Sequence, residues 1–331
     1  MVQRCKSSNG ILKSSSQLSE ARFTGQYPFY EVWYGKLNFD KEKALWFRYT
    51  LLNGVKQECA VWAIFFNGSK ITASKKKFPL SHIKFENNIT LPAGALNIHH
   101  VNGNVGNIQW DLAFQHEGET FDPVPTLFKK LHLTKSLVTT PVLNAQFKGK
   151  IEVEGAPYVV QDAPGMIGHI WGQKQALEWT WCHCNQFVGE HDVVFEGLSA
   201  KIPILKWKSP PLTSLYLKYE GDSPNGKTHV FNSVRNLISA QSTYGYGEWS
   251  FSAKNKEISL KGLAQSLPQH IAVITYRDTD DTLLYCHNSK LANLELHVEE
   301  FKTGKKYTFK SEKKAALEWV TREGFQGKKY L

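Results

Sequence analysis

Aromatic strands that also carry imidazole and carboxyl groups hold the residues of this chain whose types and spacing could do chemistry. Gly168-His169-Ile170-Trp171-Gly172 is followed, after a short polar turn, by Trp179-Thr180-Trp181-Cys182-His183-Cys184-Asn185-Gln186-Phe187. In an extended chain alternate side chains share a face, so His169 and Trp171 point one way, and Trp179, Trp181, His183, Asn185 and Phe187 share one face of the second run. Indoles two residues apart beside an imidazole and an amide make the wall of an apolar pocket with a few polar groups, the composition of a small-molecule site. Trp33 and Tyr34, in Glu31-Val32-Trp33-Tyr34, and Trp62 extend the aromatic set.

Proton-initiated chemistry on an alkene, the reaction class implied by the family resemblance given below, sets definite demands on such a set. That reaction needs a carboxylic acid kept protonated near neutral pH by a desolvated site. It also needs aromatic faces for the developing cation and the exclusion of bulk water. Glu196, flanked by Val193, Val194 and Phe195, is the first candidate acid, with Glu31 and Asp192 in reserve. His169 would orient that acid or position a water. Trp33, Tyr34, Trp62, Trp171, Trp179, Trp181, His183 and Asn185 would contact the substrate. The plain structural alternatives are a solvated carboxylate at a strand end for Glu196, a barrel histidine bonded to backbone for His169, and core packing for the indoles. The chemical reading requires a dry hollow around His169, inside the first barrel, large enough for an apolar chain.

Other chemistries lack their residues. In Cys182-His183-Cys184, strand parity puts two thiols on one face and the imidazole on the other. No Cys-x-x-Cys pair completes a zinc site, so no metal is expected. No glycine-rich phosphate loop or nucleophile elbow occurs, so no nucleotide and no cofactor is expected. Five cysteines, an odd number, fit reduced thiols of a cytosolic protein better than a disulfide framework.

The elements that must position these residues read as strands. A chain of 331 residues, 41% hydrophobic with ten tryptophans, is long enough for two cores. Residues 1–22 are polar and small and read as a flexible lead-in without the apolar centre of a signal peptide. Strands then alternate with turns at barrel-like spacing. Asn53-Gly54 marks a hairpin between 43–52 and 58–66, and the second of those strands, apolar on both faces, needs cover on each side. Helical periodicity is confined to 125–133 and 313–321. Prolines at 203, 210 and 211 suggest a boundary, giving a first barrel over 23–203 that carries the site and a second over 204–331. The net charge of +10 is scattered in short lysine clusters without a reader motif, which argues against nucleic acid and allows weak contact with an anionic membrane surface. No apolar run approaches the roughly 20 residues that span a bilayer.

Glu31 to Tyr34, His169 to Gly172 with the aromatic strand after it, and the late segments Tyr276 to Asp278 and Tyr285 to Ser289 resemble the tandem-lipocalin superfamily of carotenoid hydratases (hydroxyneurosporene synthases) and tocopherol cyclase-like proteins. The resemblance covers most of the chain after about residue 25. It implies an all-β protein of two antiparallel lipocalin-like (calycin) barrels with a hydrophobic ligand site lined mainly by the first. It also implies cofactor-independent hydration, cyclisation or isomerisation of an isoprenoid or polyketide-like substrate. In the hydratases the His and Trp of the central motif and an acid on a following strand carry the reaction. His169 and Trp171 match the first two. Glu196 stands where the hydratases have Asp, with Val194 in place of their Tyr. The alternative function is a lipid or isoprenoid carrier using the same pocket without chemistry.

Overall fold

The computed structural model describes residues 20–86, 88–116, 118–204, 207–221 and 226–331. Most of the expected lead-in, residues 1–19, lies outside the described residues, as does Cys5. Strands β1 (Phe29–Phe39), β2 (Lys43–Asn53), β3 (Gln57–Asn67), β4 (Lys70–Pro79), β5 (Ile89–Leu91), β6 (Gly94–Leu96), β7 (His100–Val105), β8 (Ile108–His116), β9 (Ser136–Val153) and β10 (Ala156–Gly172) form one antiparallel sheet, ordered 4-3-2-1-10-9-8-7-6-5. β1 and β10 lie at its middle and two meanders run outward from them. The sheet curls until β3 and β4 meet β7 and β8, and its concave side closes on Trp33, Phe47, Tyr49, Trp110, Phe114 and Phe147.

The second sheet holds β11 (Glu178–Cys184), β12 (Val194–Lys201), β15 (Leu212–Tyr219), β16 (Lys227–Phe231), β17 (Gln241–Gly245), β18 (Glu248–Lys254), β19 (Ile258–Gln265), β20 (Ala272–Arg277), β21 (Leu283–Glu300) and β22 (Lys306–Thr321). Its order is 16-15-12-11-22-21-19-18-17, with β20 also paired to β21. A separate hairpin, β13 (Pro203–Ile204) with β14 (Trp207–Lys208), stands outside it. Cys182, Phe195, Trp249 and Phe251 fill this sheet's interior. Two curled antiparallel sheets in tandem are the expected all-β, lipocalin-like architecture.

Both faces of β1 to β3 are buried, as the double-sided apolarity of 58–66 requires. Phe47, Tyr49 and Leu51 point into the first barrel. Trp46, Trp62 and Ile64 point outward and pack on Ala272, Ile274, Tyr276, Leu284 and Val320 of the second sheet. The β2–β3 hairpin forms at Asn53-Gly54, where a side chain at Gly54 would meet the Thr279 backbone at 2.2 Å. The turn is therefore glycine because it lies against the second barrel.

Three expectations differ from the structure. The sheets change hands between Gly172 and Glu178, not near Pro203, so β11 and β12 belong to the second sheet. Prolines 203, 210 and 211 flank the small β13–β14 excursion instead. Residues 313–321 form the end of β22. Alanine and leucine satisfy a helical pattern there, but pairing with β21 and β11 on either side overrides propensity. Short helices do form, α1 at Thr126–Lys130, within the expected 125–133, and α2 at Val234–Ser239, capped by the Ser233 side chain. The latter follows β16, the strand expected within 227–240.

Candidate functional site

Register sorts the candidate residues onto two faces. Trp33 sits opposite His169, and Glu31 opposite Trp171, where β1 pairs with β10. These four side chains point into the first barrel. The His169 ring stacks on Trp33 at 5.1 Å between ring centres and lies 4.7 Å from Trp171. It is fully buried, and its Nε2–H donates to Glu31 Oε1 at 2.8 Å. Glu31 Oε1 also accepts from the Arg22 amide at 2.7 Å, and Oε2 accepts from the Phe23 amide at 3.0 Å. The carboxyl thus ties the segment preceding β1 to the barrel, and the Arg22 guanidinium lies over Trp171. Burial pushes the His169 imidazole below its ordinary pKa while Glu31 opposes it. The hollow expected around His169 is filled by these rings. This is a correction: Trp33, Trp171 and His169 are packing, and Glu31 is a fully bonded anchor.

The opposite face looks across to the second barrel. Tyr30, Val32 and Tyr34 of β1 and Met166 of β10 meet Trp181 and Ala316 there. The glycine beginning the central motif serves this face, because a side chain at Gly168 would meet the Tyr34 ring at 2.3 Å. Tyr34 stands edge-on to Trp181, 5.6 Å away. Along β11 and just past its end, Trp179, Trp181, His183 and Asn185 do share a face, while Cys182 and Cys184 turn into the second barrel, as strand parity requires. Phe187, expected with the first set, lies beyond the end of β11, where parity no longer holds, and packs in the second barrel against Phe309. His183 donates to the Leu143 carbonyl at 2.8 Å, and Asn185 donates to the Asn144 side chain and the Gly165 carbonyl. Those two join β11 to the first sheet and do not line the cavity described below.

Glu196 lies in this seam. Its Oε1 accepts from Thr140 Oγ1 of β9 at 2.7 Å and from the Trp181 indole N–H at 2.8 Å. Its Oε2 is buried without a partner among the described residues. Burial raises the carboxyl from 4.5 to about 7, against the two hydrogen bonds. The expected pairing of Glu196 with His169 does not occur, since each has other partners and they face different compartments.

A cavity of about 50 Å³ occupies the seam, lined by Tyr34, Trp46, Arg48, Val138, Trp179, Trp181, Tyr276 and Glu318 among others. A second, of about 30 Å³, continues it past Tyr30, Val32 and Arg48 to Trp62, Lys75 and Arg277. Depressions of about 550 and 590 Å³ elsewhere lie beside β7–β8 and β17–β19. They lack the aromatic walls of the seam cavity, whose lining includes Glu318 and the Trp181 indole; Glu196 lies behind that indole and is not itself a lining residue.

Sequence reasoning missed four charged groups here. Lys36 is fully buried, bonded to Asn38 at 3.0 Å and pushed down to about 8 by burial. Lys290 bonds Glu318 at 2.8 Å, and Glu318 also accepts from Asn288. Arg48 is buried against the Tyr276 ring at 3.7 Å. The available signal was a cation within an apolar strand face, as in Leu45-Trp46-Phe47-Arg48-Tyr49, because such positions are rarely occupied without a partner.

A family profile described as tocopherol cyclase-like matches residues 141–319, more than half of the chain. The chain belongs to the tocopherol cyclase-like family. The match runs from β9 to the end of β22 and so takes in Thr140's neighbours, Trp181, Glu196 and Glu318, with β1 to β8 outside it. An uncharacterised protein of Mycobacterium tuberculosis, Rv0493c, is 21% identical over 201 residues, 60% of this chain. The chain spans 57% of the length of that curated relative. Among solved structures, CghA is similar with a TM-score of 0.58 at 9% identity, covering 90% of each chain. The structure of CghA with Sch210972 gives 0.57 at 10% identity, covering 89% of this chain and 88% of that one. An AttH-type protein of Nitrosomonas europaea gives 0.52 at 10% identity, covering 88% of this chain and 92% of its own. At these identities the structures share the fold. No helix of the described residues is long and apolar enough to cross a membrane.

Proposed function

We propose that this member of a cyclase-type family is a cofactor-independent enzyme that cyclises, hydrates or isomerises a hydrophobic isoprenoid or polyketide-like substrate in the seam between its barrels, with Glu196 as the acid. One observation carries the reading: Glu196 is a buried carboxyl raised to about 7, held through one oxygen by Thr140 and Trp181 while the other oxygen has no partner. A carboxylic acid poised near neutrality can deliver a proton from Oε2 to an alkene carbon. The carbocation would face the rings of Trp181 and Tyr34. Capture by an internal hydroxyl or a water then returns one proton to the carboxylate, and atoms balance without a redox partner. The two hydrogen bonds on Oε1 stabilise the carboxylate left by the first step.

A cavity of about 50 Å³ is well below the roughly 300 Å³ of an ordinary ligand site. Substrate therefore enters by parting the seam, with the Trp181 indole, which both lines the cavity and bonds Glu196, as the side chain to be displaced. The carrier reading is favoured by one specific observation, the separation of His169 from Glu196, which leaves the catalytic set implied by the resemblance unassembled.

Incubation with polyprenyl hydroquinones and acyclic polyenes in D₂O, read by mass spectrometry, separates the two. The enzyme reading expects deuterium at carbon in the product, abolished by Glu196→Gln with binding retained. Turnover that survives Glu196→Gln overturns the assignment, and binding of the probes without alteration gives the carrier.

A further inference from the structure

At the end of the seam away from Glu196, two cations share aromatic faces without a carboxylate. The Arg48 guanidinium is nine-tenths buried, lies 3.7 Å from the Tyr276 ring centre and 5.6 Å from that of Trp62, and lines both cavities. The Lys75 ammonium lies 3.6 Å from the Trp62 ring centre and lines the outer cavity. Stacking on an aromatic face attracts the charge of a guanidinium but leaves its in-plane N–H donors free. Arg48 Nε is buried without an acceptor, and among the described residues no carboxylate lies within ion-pair distance of Arg48 or Lys75.

The nearby acids are committed elsewhere. Glu58 pairs with Lys77 at 2.6 Å, Glu318 with Lys290, Asp281 with Arg277, and Asp278 with Arg322 and the amides of Gln175 and Thr279. Burial followed by the positive charge of Lys77 pushes Lys75 down to about 7, with Arg48 and Arg277 adding to the shift and Glu58 opposing it. Holding two like charges together out of water is unfavourable until an anion joins them.

We propose that Arg48 and Lys75 receive the carboxylate head of the ligand, so that the molecule taken by the seam is an apolar chain ending in an acid. This rests on the seam reading and deepens it. The guanidinium edge offers a fork of donors suited to a carboxylate, and Lys75 supplies the second charge from the mouth. From there the cavities run past Tyr30 and Val32 toward Trp46 and Trp181. Tyr34 feels the charges of both Arg48 and Glu196, so a chain fixed by its head at Arg48 would run its tail toward the acid.

The test uses the full chain with cis-parinaric acid and its methyl ester, which differ only in the charge of the head, and reads energy transfer from tryptophan to the polyene. The acid should bind about tenfold or more tighter than the ester, the scale of a charge-assisted hydrogen bond. Arg48→Gln should erase that difference by weakening the acid alone. Because Arg48 is buried, Lys75→Gln at the half-buried mouth serves as a second variant and should reduce the difference about threefold. Equal binding of acid and ester by the wild-type protein overturns the head-group site and leaves the seam standing. If neither probe binds, the seam reading fails and this inference falls with it.

Discussion

Glu31 and Glu196 are both carboxyls buried in strands beside indoles, and each accepts three or two hydrogen bonds respectively from neighbouring elements. What separates them is where those bonds fall. Around Glu31 both oxygens are engaged, by two backbone amides and an imidazole, so the carboxyl serves as a strap. Around Glu196 both donors converge on one oxygen and the other is buried without a partner, so the ionised form is under-solvated and the proton is held. The same residue type in the same apolar surroundings is fully bonded in one barrel and half bonded in the seam. Burial alone therefore does not set the state of a carboxyl; the distribution of donors over its two oxygens matters as well.

Removing the anchor should have the largest effect. Glu31→Ala leaves the fully buried His169 ring and the part-buried Arg22 and Phe23 amides without their acceptor, a loss on the order of 3 kcal/mol. Urea unfolding measures it, and a change below about 1 kcal/mol would erase the distinction between the two acids.

Glu196→Gln should act in the opposite direction. The folded chain holds this proton more tightly than the unfolded chain, so the stability it contributes is complete below 4.5 and is lost as pH rises to about 7. The amide oxygen of glutamine still accepts from Thr140 and Trp181 without ionising. The variant should be more stable than the wild type by about 3 kcal/mol at pH 8, with the gap vanishing near pH 4. Unfolding curves at both pH values test this, and equal stability at pH 8 would show that Glu196 ionises as an ordinary surface acid does.

The smallest expected effect sharpens the role of the indole donor. Trp181→Phe removes a hydrogen bond that lowers the Glu196 pKa. The carboxyl should therefore titrate at a higher pH in the variant, read from its infrared carbonyl band, with a loss of about 1 kcal/mol attributable to that bond. A titration unchanged from wild type would mean that Thr140 alone holds the carboxyl.

Much of the fold was legible as period-two patterning. The double-sided apolarity of 58–66 required cover on both faces, and the structure supplies it from β20 to β22. Asn53-Gly54 located a hairpin. Parity placed Trp179, Trp181, His183 and Asn185 together and kept the thiols of Cys182 and Cys184 apart from His183. The boundary was not legible, because the chain crosses between sheets within the polar turn at 173–177 while the conspicuous prolines mark a side excursion.

Alternation along each strand was enough to say which residues are neighbours on a face, since extended backbone geometry fixes that locally. It could not say which compartment a face encloses. One sheet has two sides, and in β1 and β10 both are apolar, so His169 and Trp33 could have walled a cavity or filled a core. Curling of the first sheet closed the His169 side into packing, and docking of the second barrel against the outer faces of β1 to β3 left the narrow space beside Tyr34, Trp181 and Arg48. That choice depends on contacts between residues more than a hundred positions apart, as between Trp62 and Tyr276, and no local pattern encodes it.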